Sequence, residues 1–512
     1  MSQAVAPSGT VAARLAGLVP PDSRSVFEMC RPGLSVAAQV RSRNPAIRFA
    51  ILPLSDGRPF PADFPAMLGP ARPQFDCLVL HDVCSGDRSP FATLGALVPH
   101  LTPGAAVLFV LARDACERLC AEGGKEVLLA SMRAALTDIG LDVAQGIMVF
   151  AGESPDAGGY SHLIVQAAPA GGLQRLYLSA MTLRPAGACN DTRIDLPNAF
   201  LATVPGVRTQ AAINLIRDLP VLPGERRVAV LQRRIFQPHH LPGLKDILER
   251  GYLLVAEFDD HPNHWPEIER FGNLSFRAVH AVQTSTDVLA EELRRLNPEI
   301  AVFPNQIAAL PPPRPARTDG RLSLFFGAFN RQGDWDSLME PLNRLLGEHP
   351  GRIDVQVVHD RAFFDALATT DKRFTPTCDY DGYIDVLRRC DVALLPLNDT
   401  LFNRCKSDLK FIECAAHGVV ALASPTVYAG SVRDGVTGLL FHSPADFLEK
   451  LRGLVVDPRM RAAIAGRAYE YVRDHRLLAQ HFRKRLSWYE SLLARKEELD
   501  ARLFERLPEL RA

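Results

Sequence analysis

The sequence predicts an α/β protein of three domains, each with a doubly wound parallel sheet, and three observations lead to this prediction. Short apolar strands alternate with helices from Ser25 nearly to the end of the chain, which is the pattern of doubly wound sheets. A chain of 512 residues is too long for one ordinary hydrophobic core, so two or three domains are expected. Clustered prolines in residues 310–320 divide the later series in two, because such a stretch is stiff and non-helical.

Composition and charge narrow the class of protein. The chain has 47% hydrophobic and 23% charged residues, and its 58 basic and 58 acidic side chains cancel, which argues against a broad nucleic-acid-binding surface. The ten cysteines lack metal-ligand spacing, so we interpret them as reduced thiols of a cytosolic protein. No signal peptide and no membrane-spanning helix are predicted. We expect a cytoplasmic protein, either free or in peripheral contact with the inner face of the membrane, and its oligomeric state stays open.

The first predicted domain occupies residues 23–170 and follows a disordered N-terminus at residues 1–22, which are rich in Ala, Pro and Ser. Its strands and helices alternate and end in two strands with no helix between them, which predicts a doubly wound sheet with a late hairpin. The predicted strands are Ser25–Met29, Arg48–Leu52, Phe75–His81, Ala105–Leu111, Ala144–Phe150 and Ser161–Ala167.

This domain resembles the class I S-adenosylmethionine-dependent methyltransferases over residues 24–168. The resemblance rests on the strand at residues 75–82 and on the Leu-Thr-Pro-Gly turn at residues 101–104. In that family the first loop is an acidic residue followed by a glycine-rich run, which lets the backbone approach the cofactor. Here residues 28–33 read Glu-Met-Cys-Arg-Pro-Gly, with a single glycine.

Two interpretations of this domain stay open. In one, Glu28, Gly33 and Asp82 are remnants of a cofactor site. In the other, the domain is degenerate and serves packing, positioning or partner binding. The proline and the missing glycines favour the degenerate domain, so we expect no bound cofactor.

The stretch Arg404–Gly418 carries the main functional signal of the chain. It reads as a loop that enters a short helix between two buried strands, with Ser407 as the N-cap. Lys406, Lys410 and Glu413 are spaced i, i+4 and i+7 and so share one helix face. A helix N-terminus beside two lysines favours a diphosphate, and Glu413 could accept hydrogen bonds from ribose or sugar hydroxyls. A solvated Lys/Glu helix face is the alternative.

The later α/β series is organised around the proline-rich stretch. We predict one domain at residues 172–309, a hinge at residues 310–320 and a second domain at residues 321–475. A long helix within residues 476–512 is expected to cross back to the earlier domain. Two similar α/β domains joined by a hinge indicate a ligand cleft between two sheets.

Polar residues follow a buried strand in the domain at residues 172–309. Asp259, Asp260 and His261 come directly after that strand, at the edge where such folds place their sites. These side chains are candidates to position or deprotonate an acceptor hydroxyl. A turn capped by aspartate and packed by Trp265 is the structural alternative.

Residues 172–512 resemble the GT-B glycosyltransferases, specifically the bacterial family 1 and family 4-type sugar transferases. The resemblance is strongest over residues 323–438, where Phe326–Arg331 is similar to the family's donor-phosphate loop and Cys378–Tyr380 to the segment beside the donor's base. The family's helix usually carries two glutamates eight positions apart. Glu413 matches the second, but Cys405 stands where the first would fall.

The resemblance implies three Rossmann-like domains, the last two forming a GT-B pair with a cleft between them. The implied activity is hexosyl transfer from a nucleotide-diphosphate sugar to a hydroxyl of a cell-surface glycan, a lipid-linked sugar or a protein. Basic groups would stabilise the departing diphosphate, with neither metal nor cofactor. The candidate donor-binding residues are Gly327, Asn330, Arg331, Tyr380, Lys406, Ser407, Lys410 and Glu413.

Other functions stay open beside this one. The chain could be a bifunctional methyltransferase–glycosyltransferase, a GT-B-fold nucleotide-sugar epimerase, or a non-catalytic scaffold. An epimerase needs no acceptor, so product analysis with and without acceptor separates it from a transferase. Donor sugar, acceptor and anomeric outcome are not determined by the sequence.

Overall fold

The computed structural model describes residues 11–31, 33–53, 74–81, 90–113, 116, 125–150, 160–184, 189–315, 320–329 and 331–511. The predicted site residue Asn330, the candidate Asp82 and part of the predicted hinge lie outside these ranges. Within them, no helix combines the length and the apolar character needed to cross a membrane.

The chain divides into two compact units. The first comprises Met1–Leu178, Asn198–Gln210 and Leu219–Arg226, and the second comprises Ser179–Pro197, Ala211–Asp218 and Arg227–Ala512. The second unit thus contains most of both predicted GT-B domains together with the C-terminal helices.

The first unit contains a doubly wound sheet with the predicted hairpin. Its strand order is β2-β1-β3-β4-β6-β5; β1 to β4 pair in parallel, whereas β6 is antiparallel to both β4 and β5. The strands are β1 Ser25–Cys30, β2 Arg48–Pro53, β3 Phe75–Leu80, β4 Leu101–Ala112, β5 Leu141–Phe150 and β6 Tyr160–Pro169. The helices are α1 Val11–Leu18, α2 Ala37–Arg43, α3 Pro90–Leu97 and α4 Lys125–Asp138.

The prediction of a disordered N-terminus is wrong for the described residues 11–22. Helix α1 packs on one face of the sheet, and its Leu15 and the following Val19 are fully buried. The Ala-rich sequence that indicated disorder also has high helix propensity, and the packing of two aliphatic side chains stabilises that helix.

A second sheet has the strand order β12-β11-β10-β9-β7-β8, with β9 to β12 in parallel. Its strands are β7 Leu176–Thr182, β8 Val207–Ile213, β9 Arg226–Gln232, β10 Tyr252–Glu257, β11 Ala281–Thr284 and β12 Ile300–Val302. A π-helix spans Asp191–Asp195, and the α-helices are α5 Leu196–Leu201, α6 Leu241–Glu249, α7 Pro266–Arg270, α8 Leu274–Arg277 and α9 Asp287–Arg294. Strand β10 is buried along its whole length, as expected for a parallel strand covered on both faces.

The third sheet is parallel throughout and has the order β15-β14-β13-β16-β17-β18. Its strands are β13 Leu322–Gly327, β14 Ile353–Val358, β15 Lys372–Thr375, β16 Val392–Leu395, β17 Val420–Ala423 and β18 Leu439–Leu440. Its helices are α10 Gln332–Glu348, α11 Arg361–Ala366, α12 Tyr380–Leu387, α13 Leu401–Arg404, α14 Leu409–Ala416, α15 Pro425–Tyr428, α16 Pro444–Val456 and α17 Pro458–His475.

The single long C-terminal helix expected from the sequence is instead two helices, α18 Phe482–Ala494 and α19 Lys496–Arg506. They separate at Arg495, whose φ of −109° and ψ of 22° leave helical geometry. Both contact elements of the second sheet. The Tyr489 hydroxyl donates to Gln283 at 2.7 Å, and His280 Nε2 lies 2.8 Å from Asp500.

The order of strands in both sheets marks where a ligand can bind. In the third sheet the chain runs outward from β13 to β15 and then restarts at β16 on the other side, so β13 and β16 flank a topological switch point. In the second sheet, β7 and β9 flank the corresponding point. Ligands of open α/β sheets bind beyond the carboxyl ends of the strands at such points.

The docking of α19 is testable through its buried leucine. We expect Leu503→Ala to destabilise the second unit by about 2–5 kcal/mol, because it removes a fully buried side chain and leaves a cavity. Leu215→Ala is the matched control, because Leu215 is 53% exposed, and it should change the free energy of unfolding by less than about 0.5 kcal/mol. Chemical denaturation followed by circular dichroism measures both. Equal effects of the two substitutions would contradict the described docking.

Candidate functional site

A cavity of about 260 Å³ lies beyond the carboxyl ends of the second and third sheets, within the second unit. Segments that follow β7, β9 and β10 line one wall, and segments that follow β13 and β16 line the other. The switch points of the two sheets therefore open on the same cavity. Its lining includes the predicted site residues Asp259, Asp260, Gly327, Arg331, Lys406, Ser407 and Lys410.

Gly327 ends β13 where the chain comes closest to its neighbours. A Cβ at this position would lie 2.6 Å from the Phe325 ring and 2.8 Å from the Tyr383 ring, so a side chain would force one of these aromatics to move. Its carbonyl accepts a hydrogen bond from the Lys410 ammonium. The glycine thus allows close packing at the floor of the cavity.

Charged groups alternate across the cavity. Asp260 bridges its two walls, because one carboxylate oxygen lies 2.8 Å from Lys406 Nζ and the other 2.9 Å from Arg233 Nη2. Arg233 Nε also donates to Asp259 at 2.6 Å. Arg233 has a left-handed backbone, φ 45°, which for a residue other than glycine is uncommon and occurs often at functional sites.

The pKa values of these groups follow from burial and pairing. Burial alone would raise the pKa of Asp259, but the neighbouring Arg233 charge outweighs it and lowers that pKa. Burial lowers the pKa of Lys406, and the Asp260 carboxylate opposes this only in part. In the absence of an anion, Asp260 therefore supplies the negative charge that Lys406 requires.

Arg331 completes the cationic lining at the end of the third sheet. Its Nη1 donates to Asn403 at 2.9 Å and to Asp334 at 3.2 Å. These bonds hold the guanidinium at the start of α10. Both partners belong to the third-sheet domain, so Arg331 is positioned before any ligand arrives.

Two expectations about the helix at residues 404–418 are wrong. The helix begins at Leu409, and Asp408 rather than Ser407 occupies the N-cap position. The Asp408 carboxylate forms a two-pronged ion pair with Arg476 at 2.5 and 2.9 Å. Lys406 thus lies in the loop before the helix, and the i, i+4, i+7 face that the spacing predicted does not form.

Lys410 and Glu413 do not lie on a solvated helix face. Glu413 is 2% exposed, and its Oε1 has no hydrogen-bond partner among the described residues. Burial raises the pKa of Glu413 to about 7, although Lys410 and a hydrogen bond with Tyr380 oppose the rise. Burial likewise lowers the pKa of Lys410. Glu413 and Tyr380 do not line the cavity; they form its support below Lys410.

His261 lies away from the cavity lining. It is 3% exposed, its Nδ1 accepts from the backbone N–H of Asn263 at 3.2 Å, and its Nε2 lies 3.8 Å from Glu292. Burial lowers the pKa of His261. In this geometry His261 caps a turn, and the structure does not bring it together with Asp259 and Asp260 at the cavity.

The sequence interpretation did not single out several residues that support the site. Gln232, Glu257 and Gln283 end β9, β10 and β11, occupy one row across the second sheet, and have no exposed surface. A polar residue at the end of each apolar strand was a detectable signal. Arg193 and Asn305 carried no comparable sequence signal, because the segments that contain them are irregular.

The comparison with known families agrees with this geometry. Residues 331–487 match a family model described as "Glycosyl transferase-like". This segment is glycosyltransferase-like. The match includes Arg331, Lys406 and Lys410, and it confirms the glycosyltransferase prediction for the segment that it covers. Among curated proteins, none matches the chain.

Several solved structures are similar over part of the chain. TarM from S. aureus, in complex with fondaparinux, alpha-GlcNAc-glycerol and UDP, is 10% identical over 52% of this chain and 55% of its own, with a TM-score of 0.40. The pneumococcal O-GlcNAc transferase GtfA with UDP and GlcNAc is 14% identical over 53% and 57%, with a TM-score of 0.39. HepE from Anabaena with UDP and glucose is 12% identical over 62% and 99%, with a TM-score of 0.45.

This chain therefore spans a little over half the length of TarM and GtfA. The TM-scores are below 0.5. The functional argument below rests on the family match and on the geometry of the cavity.

The raised pKa of Glu413 gives a testable pH dependence. In the unfolded chain this carboxyl has a pKa of about 4.3, so ionisation favours unfolding as the pH rises from about 4.5 through about 7. Glu413→Gln should remove that loss and make the protein more stable at pH 8 by up to about 3 kcal/mol. Glu509→Gln, on an exposed residue, is the control and should leave the pH profile unchanged. A Glu413→Gln profile parallel to that of the wild type between pH 4.5 and 8 would contradict the buried carboxyl.

Proposed function

We propose that this protein is a glycosyltransferase that moves a sugar from a nucleoside diphosphate sugar to a hydroxyl acceptor without a metal ion. The observation that carries the proposal is the cavity at two switch points, where Arg233, Arg331, Lys406 and Lys410 meet. Such a concentration of cations suits a diphosphate, and the family match of the segment that contributes three of them supports the same chemistry.

Donor binding involves an exchange of partners. Diphosphate oxygens would take the place of the Asp260 carboxylate beside Lys406, while Arg233 keeps Asp260 through its own contact at 2.9 Å. Lys410 and Arg331 then face the same anion. The start of α14 adds the positive end of its helix dipole, because Leu409 and Lys410 line the cavity.

The reaction proceeds by attack of the acceptor oxygen on the anomeric carbon. A new carbon–oxygen bond forms, the bond to the diphosphate oxygen breaks, and the nucleoside diphosphate leaves with both electrons. Lys406, Lys410 and Arg331 stabilise the negative charge that develops on it. The acceptor proton passes to Asp260, which is freed from Lys406 by the donor and lies on the opposite wall.

Absence of a metal is part of this proposal. The third-sheet domain contains two Asp-x-Asp sequences, a pattern that could hold a divalent cation, at residues 334–336 and 379–381. Asp334 accepts from Asn403 at 2.8 Å and from the backbone of Asn398 at 2.9 Å, and Asp379 caps α12 through the N–H of Gly382 at 2.9 Å. These contacts support a role within the fold for both carboxylates.

The acceptor class belongs to the same proposal. We infer a glycan, lipid-linked sugar or protein acceptor in cell-surface glycoconjugate synthesis, at the cytoplasmic side of the membrane. The acceptor wall carries Cys189, Thr192 and Asp259, small and polar groups that suit a hydroxyl-bearing molecule. Incubation with a panel of nucleotide sugars, with and without acceptors, tests the transferase against the epimerase alternative, which predicts product without acceptor.

Lys406→Ala tests the donor site. Loss of one charge-assisted contact is worth about 1.5–3 kcal/mol, so nucleoside diphosphate affinity should fall about 10- to 150-fold. Because the leaving group gains charge in the transition state, kcat should fall as well. Calorimetry with UDP, GDP, ADP and dTDP measures the binding, and turnover with the active nucleotide sugar measures the rate.

Lys484→Ala is the matched control, because Lys484 is exposed on α18 and does not line the cavity. It should leave both quantities within about twofold of the wild type. If Lys406→Ala behaves like Lys484→Ala in both measurements, the cavity is not the donor site and the proposal fails.

For the first unit we propose a methyltransferase-like domain that does not use S-adenosylmethionine. The strand order, with an antiparallel strand between its two predecessors at one end of the sheet, supports the resemblance. Glu28 is fully buried; its carboxylate accepts from the Ser35 hydroxyl at 2.6 Å and the Val36 N–H at 2.8 Å, and lies 3.1 Å from His81 Nε2. The acidic group expected at a cofactor loop is thus engaged by the fold.

S-adenosylmethionine should therefore not stabilise the protein. A ligand with a micromolar dissociation constant would add about 2.7 kcal/mol at 100 times that concentration, which a thermal melt detects readily. We expect no shift, while a nucleoside diphosphate on the same sample raises the melting temperature. Saturable binding of S-adenosylmethionine in the micromolar range would instead support the bifunctional alternative.

A further inference from the structure

A chain of buried hydrogen bonds connects the second sheet to the donor side of the cavity. It begins at Glu257, which has no exposed surface and accepts from Arg193 Nε at 2.8 Å and from Gln283 at 2.5 Å. Arg193 is 1% exposed and belongs to the π-helix Asp191–Asp195. Single turns of π-helix are rare and frequently occur at functional sites.

Arg193 determines which way the Asn305 amide faces. Its Nη1 donates to Asn305 Oδ1 at 2.8 Å and to the carbonyl of Phe303 at 2.7 Å. An arginine can only donate hydrogen bonds, so the amide oxygen of Asn305 must point to it and the amide nitrogen must point away. The reversed amide would set two donors against each other.

The orientation of Asn305 in turn determines the role of Ser407. Asn305 Nδ2 lies 2.8 Å from Ser407 Oγ, and since the amide nitrogen only donates, the hydroxyl oxygen accepts. The hydroxyl hydrogen of Ser407 is not used in this bond. Ser407 and Asn305 both line the cavity, so this hydrogen is available to an acceptor atom inside it.

A second contact keeps this arrangement in place. Arg476 Nη2 donates to the backbone carbonyl of Asn305 at 3.0 Å, and the same guanidinium pairs with Asp408, the residue after Ser407. The backbone positions of both partners are therefore set by one arginine. The Asn305–Ser407 bond does not depend on the ligand for its geometry.

We propose that Asn305 is a positioning residue that makes Ser407 a hydrogen-bond donor to the diphosphate of the donor substrate. The inference rests on the proposed function and adds to it a neutral donor beside Lys406 and Lys410. A hydroxyl can donate or accept, and an anion requires a donor. The Glu257–Arg193–Asn305 chain removes the choice before the ligand binds.

The competing explanation is that Asn305 only ties its loop to the loop before α14. In that case, substitution at Asn305 would lower stability, and its effect on ligand binding would be independent of Ser407. The two explanations therefore differ in the coupling between these two residues, which a double-mutant cycle measures.

Asn305→Asp and Ser407→Ala are the informative variants. An aspartate keeps the contact with Arg193 but presents an oxygen to Ser407, so the hydroxyl hydrogen turns to the aspartate and leaves the cavity. Ser407→Ala removes the same donor directly. Each single change should weaken nucleoside diphosphate binding about 10- to 150-fold, and kcat should fall with affinity. Ser407→Thr keeps the hydroxyl and should restore affinity to within a few-fold of the wild type.

The double variant separates the explanations. Asn305→Asp also adds a negative charge near the anion, and that part of its effect persists when Ser407 is alanine. The part that acts through the hydroxyl disappears. We therefore expect the double variant to bind at least about fivefold more tightly than the product of the two single effects. Singles whose effects multiply without coupling, or a Ser407→Ala protein that binds like the wild type, would overturn the inference.

Folding and function are controlled in the same series. Thermal melts identify a variant that has not folded, and Asn305→Ala with Ser407→Ala then supplies a second cycle, because removing the amide also frees the hydroxyl. If the wild-type protein itself binds none of UDP, GDP, ADP or dTDP, the proposed function fails and this inference falls with it. If the wild type binds and the cycle shows no coupling, only this inference fails.

Discussion

The carboxylate of Glu257 is the group on which the polar interior of the second unit depends. A fully buried carboxylate is costly unless a charge and hydrogen-bond donors compensate it, and Arg193 and Gln283 provide both. Arg193 in turn has donors left over, and it uses them on Phe303 and Asn305. Each buried group thus requires the next, and the sequence of requirements ends at the cavity wall.

A similar requirement governs the charges inside the cavity. Lys406 and Arg233 share Asp260, and Arg233 also holds Asp259, so the empty site contains paired charges rather than isolated cations. Isolated cations in a partly buried site would be costly. An incoming anion must therefore compete with Asp260 for Lys406, and the same competition releases a carboxylate on the acceptor wall at the moment when the donor is in place.

The sequence predicted the interior of the sheets better than their edges, for a physical reason. Strands buried on both faces are continuous apolar runs, as in β10 and β13, and these were recognised. The edge strands β8 and β15 contain Arg208 and Lys372 and are partly exposed, so their composition resembles that of loops. In the site, the lysines and aspartates were predicted from their types and spacing. The burial of Glu413 and the role of Arg193 depend on packing between segments far apart in the chain, which spacing does not report.

The two units contain the same element with different consequences. Glu28 and Glu257 both lie in a central strand of a doubly wound sheet, near its carboxyl end, and both have no exposed surface. Burial would raise the pKa of Glu28, but hydrogen bonds from His81, Ser35 and the Val36 N–H outweigh it, and all of these partners come from nearby loops and strands. Glu257 is instead paired with an arginine whose remaining donors reach further. A carboxylate satisfied by short, local donors ends its own network and closes the position. One satisfied by arginine passes the requirement for an acceptor outward, so only the second sheet carries its buried charge to a cavity wall.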